Sequence, residues 1–407
     1  SVRAFLSSSV VVGLFKIRVS EIIPEAIIPA ICFGIFNNKD NDTRKISSNN
    51  EKKGVFISYI DLRNYVKNSD VFGFKENICK MLDNVSSLKF NMIILQVVSF
   101  SDAIYESSIY PWSSVISVSE GVSPGFSVLD YFIEEAHKRN IEVYAWINPY
   151  RVRGSNDVSS ITDSSPAFKY IDTDTLYVNE GIYYNPAKKE VTDLIVSGVR
   201  EIVTKYDVDG VLFDDYFYPD LEVSRTQYEE YLKSNKKITF NEYRLMIINE
   251  MVEKVHKVCK DNKVLFGISP DGNIENNYNK VFADVRTWLD SDKYVDFIMP
   301  QVYYGFHNET RPFLKTIHEW NDLIKNKDID LYIALAFYKV GSIDNYAKTG
   351  KLEWQNNSDI IMKEILLSRN LKQYKGFCLF RYGNLFDQEL YTVTTLKEME
   401  NMQKIVK

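Results

Sequence analysis

The chain has 407 residues with 49 Lys and Arg against 55 Asp and Glu, a net charge of −6, so no overall basic surface favours nucleic acid or anionic lipid as its partner. Hydrophobic residues at 45% and charged residues at 26% describe an ordinary globular protein, neither disordered nor fibrous. Cysteines scattered at 32, 79, 259 and 378 without a CxxC spacing, and only four histidines, argue against a disulfide framework and against a dedicated metal site.

Residues 4–15 (AFLSSSVVVGLF) follow Arg3 and look like the charged-then-apolar front of a secretory signal. Lys16, Arg18, Glu21 and Glu25 interrupt that run, and an ordered N-terminal arm packing on the main domain is the alternative. No stretch of about 18 uncharged apolar residues follows, so no transmembrane span is expected. Residues 37–53 (NNKDNDTRKISSNNEKK) are almost wholly polar and read as a linker, which divides the chain into an N-terminal part, 1–52, and a main domain, 53–407.

From residue 54 short β-branched and aromatic runs alternate with longer amphipathic stretches. The strand-like runs are GVFISYIDL from 54, NMIILQVV from 91, IEVYAWINPY from 141 and GVLFDDYF from 210. VLFGISPDG from 264, VDFIMPQVYY from 295, LYIALAFYK from 331 and GFCLFRYGNL from 376 complete the series. Between them lie helical patterns such as 127–140, where Leu129, Phe132, Ile133 and Ala136 form a core-facing stripe. Eight strands, each followed by a helix, predict an α/β fold: a (β/α)8 TIM barrel with an N-terminal arm. Neither GxGxxG after a strand nor GxxxxGK[ST] occurs, so a nucleotide fold, a nucleotide partner and a cofactor are not expected.

Barrel active sites lie at the C-terminal ends of the strands. The polar and aromatic residues there are Asp61; Gln96, Ser99 and Asp102; Trp146, Asn148, Tyr150, Arg151 and Arg153; and Asp214, Asp215, Tyr216 and Tyr218. The later strands contribute Ser269 and Asp271; Gln301, Tyr303 and Tyr304; Tyr338; and Arg381, Tyr382 and Asn384. This set is rich in carboxylates, amides and flat rings, which suits sugar: C–H faces stack on aromatics and hydroxyls pair with polar groups. Strand alternation puts Leu212 and Asp214 on the barrel side and Val211, Phe213 and Asp215 on the other. Asp214 in a ring-lined mouth should keep its proton and serve as general acid, with Asp215 orienting a loop, capping a helix or modulating its neighbour's charge. Arg151 and Arg153 are candidates to hold a carboxylate on the substrate. The stretch 217–241 is expected to overhang the site as a lid or cleft wall.

Five segments, QVVSFSDAIYESSIYPWS (96–113), EEAHKRNIEVYAWINPYRVR (134–153), VDGVLFDDYFYP (208–219), FGISPDGN (266–273) and VDFIMPQVYY (295–304), resemble a family of bacterial glycosyl-hydrolase-like barrels long catalogued as a domain of unknown function. The likeness covers about residues 53–390 and looks closest to the lytic transglycosylase domain of a clostridial-type cell-wall protein. It implies an extracellular monomer of the cell wall or cell surface that cuts peptidoglycan glycan strands at the MurNAc–GlcNAc bond, with Asp214 as acid/base and an anhydro ring as product. Hydrolysis with two carboxylates and a non-catalytic carbohydrate-binding barrel remain the alternatives. The family's motifs fall on Asp214 through Pro219, on Asp102, Ala103 and Tyr105, and on Asn148 through Arg151, while Asp271 stands where the family pattern has an apolar residue.

Overall fold

A computed structural model describes residues 51–406 apart from 69, 235 and 236; the signal-like run or N-terminal arm and most of the polar linker lie outside the described residues. The described part forms a closed barrel of eight parallel strands. In chain order these are β1 (Lys52–Ile57), β2 (Met92–Val98), β3 (Glu142–Ile147) and β4 (Gly210–Phe213), then β5 (Leu265–Ile268), β6 (Phe297–Ile298), β7 (Asp330–Leu335) and β8 (Tyr374–Leu379). β8 pairs back onto β1 through Val55 and Leu379, so no edge is left open. All eight runs expected from the sequence are strands at their N-terminal parts.

Strand alternation fills the barrel from inside. Gly54, Gly210 and Gly267 leave room for Met92 and Cys378, for Tyr144, and for Phe297 respectively. Tyr144, Phe297 and Tyr332 then meet ring to ring at 5.5 and 5.3 Å and plug the lower barrel. The opposite face of each strand meets helices: Phe213 packs edge-on against Phe266 at 5.1 Å, and Phe266 faces His256.

Among the covering helices are α1 (Val71–Ser87), α2 (Val128–His137), α3 (Lys189–Lys205) and α4 (Phe240–Asp261). α5 (Ile274–Lys280), α6 (Phe313–Leu323), α7 (Ile360–Ser368) and α8 (Val393–Gln403) continue the ring. The α2 stripe of Leu129, Phe132, Ile133 and Ala136 is buried, as its 3.6-residue spacing requires; each such large side chain contributes roughly 1.5–3 kcal/mol by leaving water. Asp70 opens α1 by accepting from the Gly73 amide at 2.8 Å, and a Thr239–Glu242 capping box opens α4.

Three local features differ from the sequence expectation. β1 begins inside the predicted linker, because Glu51 and Lys53 have buried partners: Glu51 pairs with Arg369 and Tyr374, and Lys53 reaches the Val406 carbonyl at 3.1 Å. β6 is only two residues long, since Pro270 and Pro300 lack the N–H that a regular ladder needs. Isolated bridges at Asp271–Gln301 and Gln301–Ala334 carry the sheet onward instead. After β3 the chain folds a small antiparallel sheet, Arg151–Arg153 with Ile182–Tyr184 and Leu176–Val178, which fixes Arg151 beyond the strand end.

Candidate active site

Asp214 directly follows β4, is 4% exposed, and points to the barrel side. Its Oδ2 accepts from the Trp146 indole Nε1 at 2.9 Å and from Asn148 Nδ2 at 3.1 Å, while Oδ1 accepts from the Tyr216 amide at 3.3 Å. Trp146 is the register partner of Leu212 on β3 and is braced edge-on by Phe56 at 5.5 Å. Burial pushes the Asp214 carboxyl up, the Arg151 guanidinium and the Trp146 donor pull it down, and it settles at about 6.

Asp215 is less enclosed and more strongly shifted. Burial, then the Asp214 carboxylate, then the Asp271 carboxylate push it up to about 7, with the Gln301 amide opposing them. Asp271 itself is well supplied with donors: the Asn273 amide at 2.7 Å, Asn276 Nδ2 at 3.1 Å and the Tyr304 hydroxyl at 3.2 Å. The structure thus brings three carboxyl groups into electrostatic contact, and Asp215 feels two that already accept several hydrogen bonds. Close carboxyl groups share protons, and the one with fewest donors keeps its proton longest.

Rings form the walls. Tyr303, Tyr338 and Phe380 meet at 5.8 to 6.0 Å, and Phe380 also meets Phe56 at 5.5 Å. On the other side Phe100 meets Tyr59 at 5.0 Å, and the Arg151 guanidinium lies 4.5 Å from the Phe100 ring centre and 4.9 Å from that of Tyr216. Gln301 donates to the Ser269 carbonyl at 2.9 Å, which ties the ends of β5 and β6 together, and the Ser269 hydroxyl is buried.

Other sequence-nominated residues have structural surroundings. Tyr150 is fully buried and its hydroxyl lies near Tyr218, so it offers no sugar a face. Tyr382 turns outward: Asn84 of α1 donates to its hydroxyl at 2.8 Å, and its ring packs on Tyr65 and Phe386. Arg381 is consumed by buried Asp61, which also accepts from the Ser58 and Gly383 amides. Asp102 is buried and accepts from the Phe100 amide at 2.9 Å, shaping the loop after β2. Gln96 is buried on β2 and accepts from the Tyr59 amide at 2.9 Å, which positions that ring. Arg153 Nη2 donates to both carboxylate oxygens of Glu120. The 217–241 stretch contains a helix, Arg225–Ser234, whose Tyr228 ring lies 5.0 Å from Phe240 and 5.6 Å from Tyr243 of α4, so this part packs on the barrel flank. Phe380, Tyr59 and Phe100 went unnoticed in the sequence; alternation from inward Cys378 would have found Phe380.

A profile described as glycosyl hydrolase-like 10 matches residues 51–350. The chain belongs to the glycosyl hydrolase-like 10 family. Membership in it supports a carbohydrate-processing function. It is 32% identical over 334 residues to glycosyl hydrolase YngK of Bacillus subtilis, covering 76% of this chain and 64% of that protein. It is 32% identical over 330 residues to glycosyl hydrolase DigH of Escherichia coli K12, covering 74% of each. The barrel is also similar to the PgaB (BpsB) glycoside hydrolase domain of Bordetella bronchiseptica, with TM-score 0.53, 11% identity, 88% of this chain and 99% of that one. A second fold-level likeness is α-L-fucosidase isoenzyme 2 of Paenibacillus thiaminolyticus, with TM-score 0.54, 13% identity, 88% of this chain and 49% of that one. Among the described residues no helix of this family member is long and apolar enough to cross a membrane, and no cluster of three His, Cys, Asp or Glu is arranged to hold a metal ion.

Proposed function

We propose that the protein hydrolyses glycosidic bonds in peptidoglycan glycan strands, working as a monomer at the cell wall or cell surface. Asp215 is the general acid and Asp214 the carboxylate that stays ionised beside the developing positive charge of the sugar ring. This exchanges the roles suggested by strand alternation alone. One observation carries it: Asp215 feels the charge of two carboxyl groups that accept three hydrogen bonds each, so the shared proton stays on Asp215. Asp271 is a further carboxylate available to activate a water, which supports hydrolysis over ring closure by a single acid/base.

The test is mass spectrometry of glycan strands digested in H2 18O by wild type, Asp215→Asn and Asp214→Asn. Wild type should release reducing ends carrying the heavy oxygen. Asp215→Asn should lose about 10²–10⁴-fold on the glycan, the usual weight of general acid catalysis. It should keep most activity on a 2,4-dinitrophenyl glycoside, whose leaving group needs no proton, whereas Asp214→Asn should lose both. Anhydro-muropeptides would instead establish the transglycosylase course, and glycan binding without products would establish a binding module.

A further inference from the structure

Arg151 is unlike its neighbours. Its guanidinium lies among three rings, 4.5 Å from the Phe100 centroid, 4.9 Å from that of Tyr216 and 5.9 Å from that of Tyr59. Its Nε donates to the Ser99 carbonyl at 3.1 Å and its backbone amide to Asn148 Oδ1 at 3.2 Å, so both stem and head are fixed. Among the described residues no carboxylate lies close enough to form an ion pair with it, although its charge acts on Asp214 from a distance. Arg153, two residues along the same strand, donates from Nη2 to both Glu120 oxygens at 2.9 and 2.8 Å and from Nη1 to the Phe100 and Val152 carbonyls. Arg369 and Arg311 likewise have acidic partners, Glu51 and Glu319. An aromatic cage holds a guanidinium in place by its faces and leaves the planar fork to a ligand. Arg63, exposed, lies 5.9 Å from the Tyr59 ring centre and adds positive charge near this cage.

We infer that Arg151 and its ring cage form a subsite for a carboxylate borne by the glycan, so that the sugar chain cut here is anionic and is oriented by that group. The inference rests on the proposed glycan cleavage for its setting. Asn148 links the two: its Oδ1 holds the Arg151 backbone and its Nδ2 donates to Asp214, so a substrate seated on Arg151 is registered against the acid pair. A fork-to-carboxylate pair of this kind discriminates by about 10- to 100-fold against a neutral analogue.

The experiment compares kcat/KM of wild type, Arg151→Gln and Arg151→Lys on three forms of one glycan. These are peptidoglycan strands stripped of peptides with free lactyl carboxylates, the same strands with carboxylates converted to methylamides, and strands with peptide stems attached. Wild type should prefer a carboxylated form over the methylamide by about 10- to 100-fold. Whichever form is preferred identifies the carrier, lactyl or peptide. In Arg151→Gln that ratio should fall to about 1, and Arg151→Lys should restore part of it, which a merely structural role for the side chain would not do. Equal use of all three by wild type, or an undiminished preference in Arg151→Gln, overturns the subsite. Calorimetric binding of the stripped and methylamide strands to Asp215→Asn, with and without Arg151→Gln, reads the same ratio without turnover. Failure of cleavage in wild type therefore counts against the proposed function while binding still decides the subsite.

Discussion

Asp214 owes its intermediate acidity to a few short contacts, and the Trp146 indole is the one that can be removed with least change of shape. Trp146→Phe keeps a ring against Phe56 but deletes the donor at 2.9 Å. The carboxylate loses a stabilising partner, so Asp214 should rise above about 6 and be ionised only at higher pH. The pH profile of kcat/KM for wild type should be a bell between apparent values near 6 and 7, the lower for ionising Asp214 and the upper for losing the Asp215 proton. In Trp146→Phe the acidic limb should move up and the maximum fall by about tenfold, the weight of one charge-assisted hydrogen bond. A profile that merely scales down, with both limbs unmoved, would mean that Trp146 acts by packing alone. Alternation sufficed to direct Asp214 to the barrel side. It did not order the two carboxyls, because that order depends on Asp271 and Gln301, brought together from two other strand ends, and on Asn276 of α5.

Among the strands, β5 carries the sharpest steric constraint. Gly267 faces inward where Phe297 of β6 folds over it, and a Cβ there would fall inside the van der Waals envelope of the ring. That ring is held edge-on by Tyr144 and Tyr332, so it cannot withdraw. Gly267→Ala should therefore cost about 1–3 kcal/mol by overpacking, read as a lower urea midpoint with an unchanged slope. An unaltered midpoint would show that the plug of rings is looser than its spacing implies. Apolar runs with β-branched and aromatic residues made each strand legible in the sequence, and the α2 stripe was legible from its period. The short β6 and the small sheet after β3 were not. The first depends on two prolines facing each other across a ladder, and the second on a pairing between Arg151–Arg153 and a segment some thirty residues on. Tyr382 and Arg381 are taken up by Asn84 and Asp61 for a similar reason: alternation ends where β8 gives way to the short helix Tyr382–Phe386.

At the scale of the whole barrel, the ends of the described chain are fastened to each other, and the C-terminal helices carry a buried acidic seam. Glu51 ahead of β1 binds Arg369 and Tyr374, while Arg369 also holds the Ile405 carbonyl, so the residues just after the last helix are tied to the start of the first strand. Beside this clamp α7 and α8 face each other through Glu364 and Glu398. Glu398 is fully buried and accepts from the Ile360 and Met362 amides at 2.7 and 3.0 Å, capping α7, and burial pushes it up to about 7. Glu364 is fully buried with no hydrogen-bond partner on either oxygen, and burial with Glu398 and Glu353 nearby pushes it well up. Both groups are raised above their unfolded values, so the folded state holds protons that the unfolded chain releases. Their contribution to stability is fully present below about pH 4 and is lost as pH rises through 7 and beyond. Glu364→Gln keeps the shape and removes the ionisation. It should leave the thermal midpoint nearly unchanged at pH 5, raise it by roughly 2–6 °C at pH 8, and flatten the slope between them. Scanning calorimetry at the two pH values decides it, and an equal shift at both would assign the effect to packing rather than to the proton.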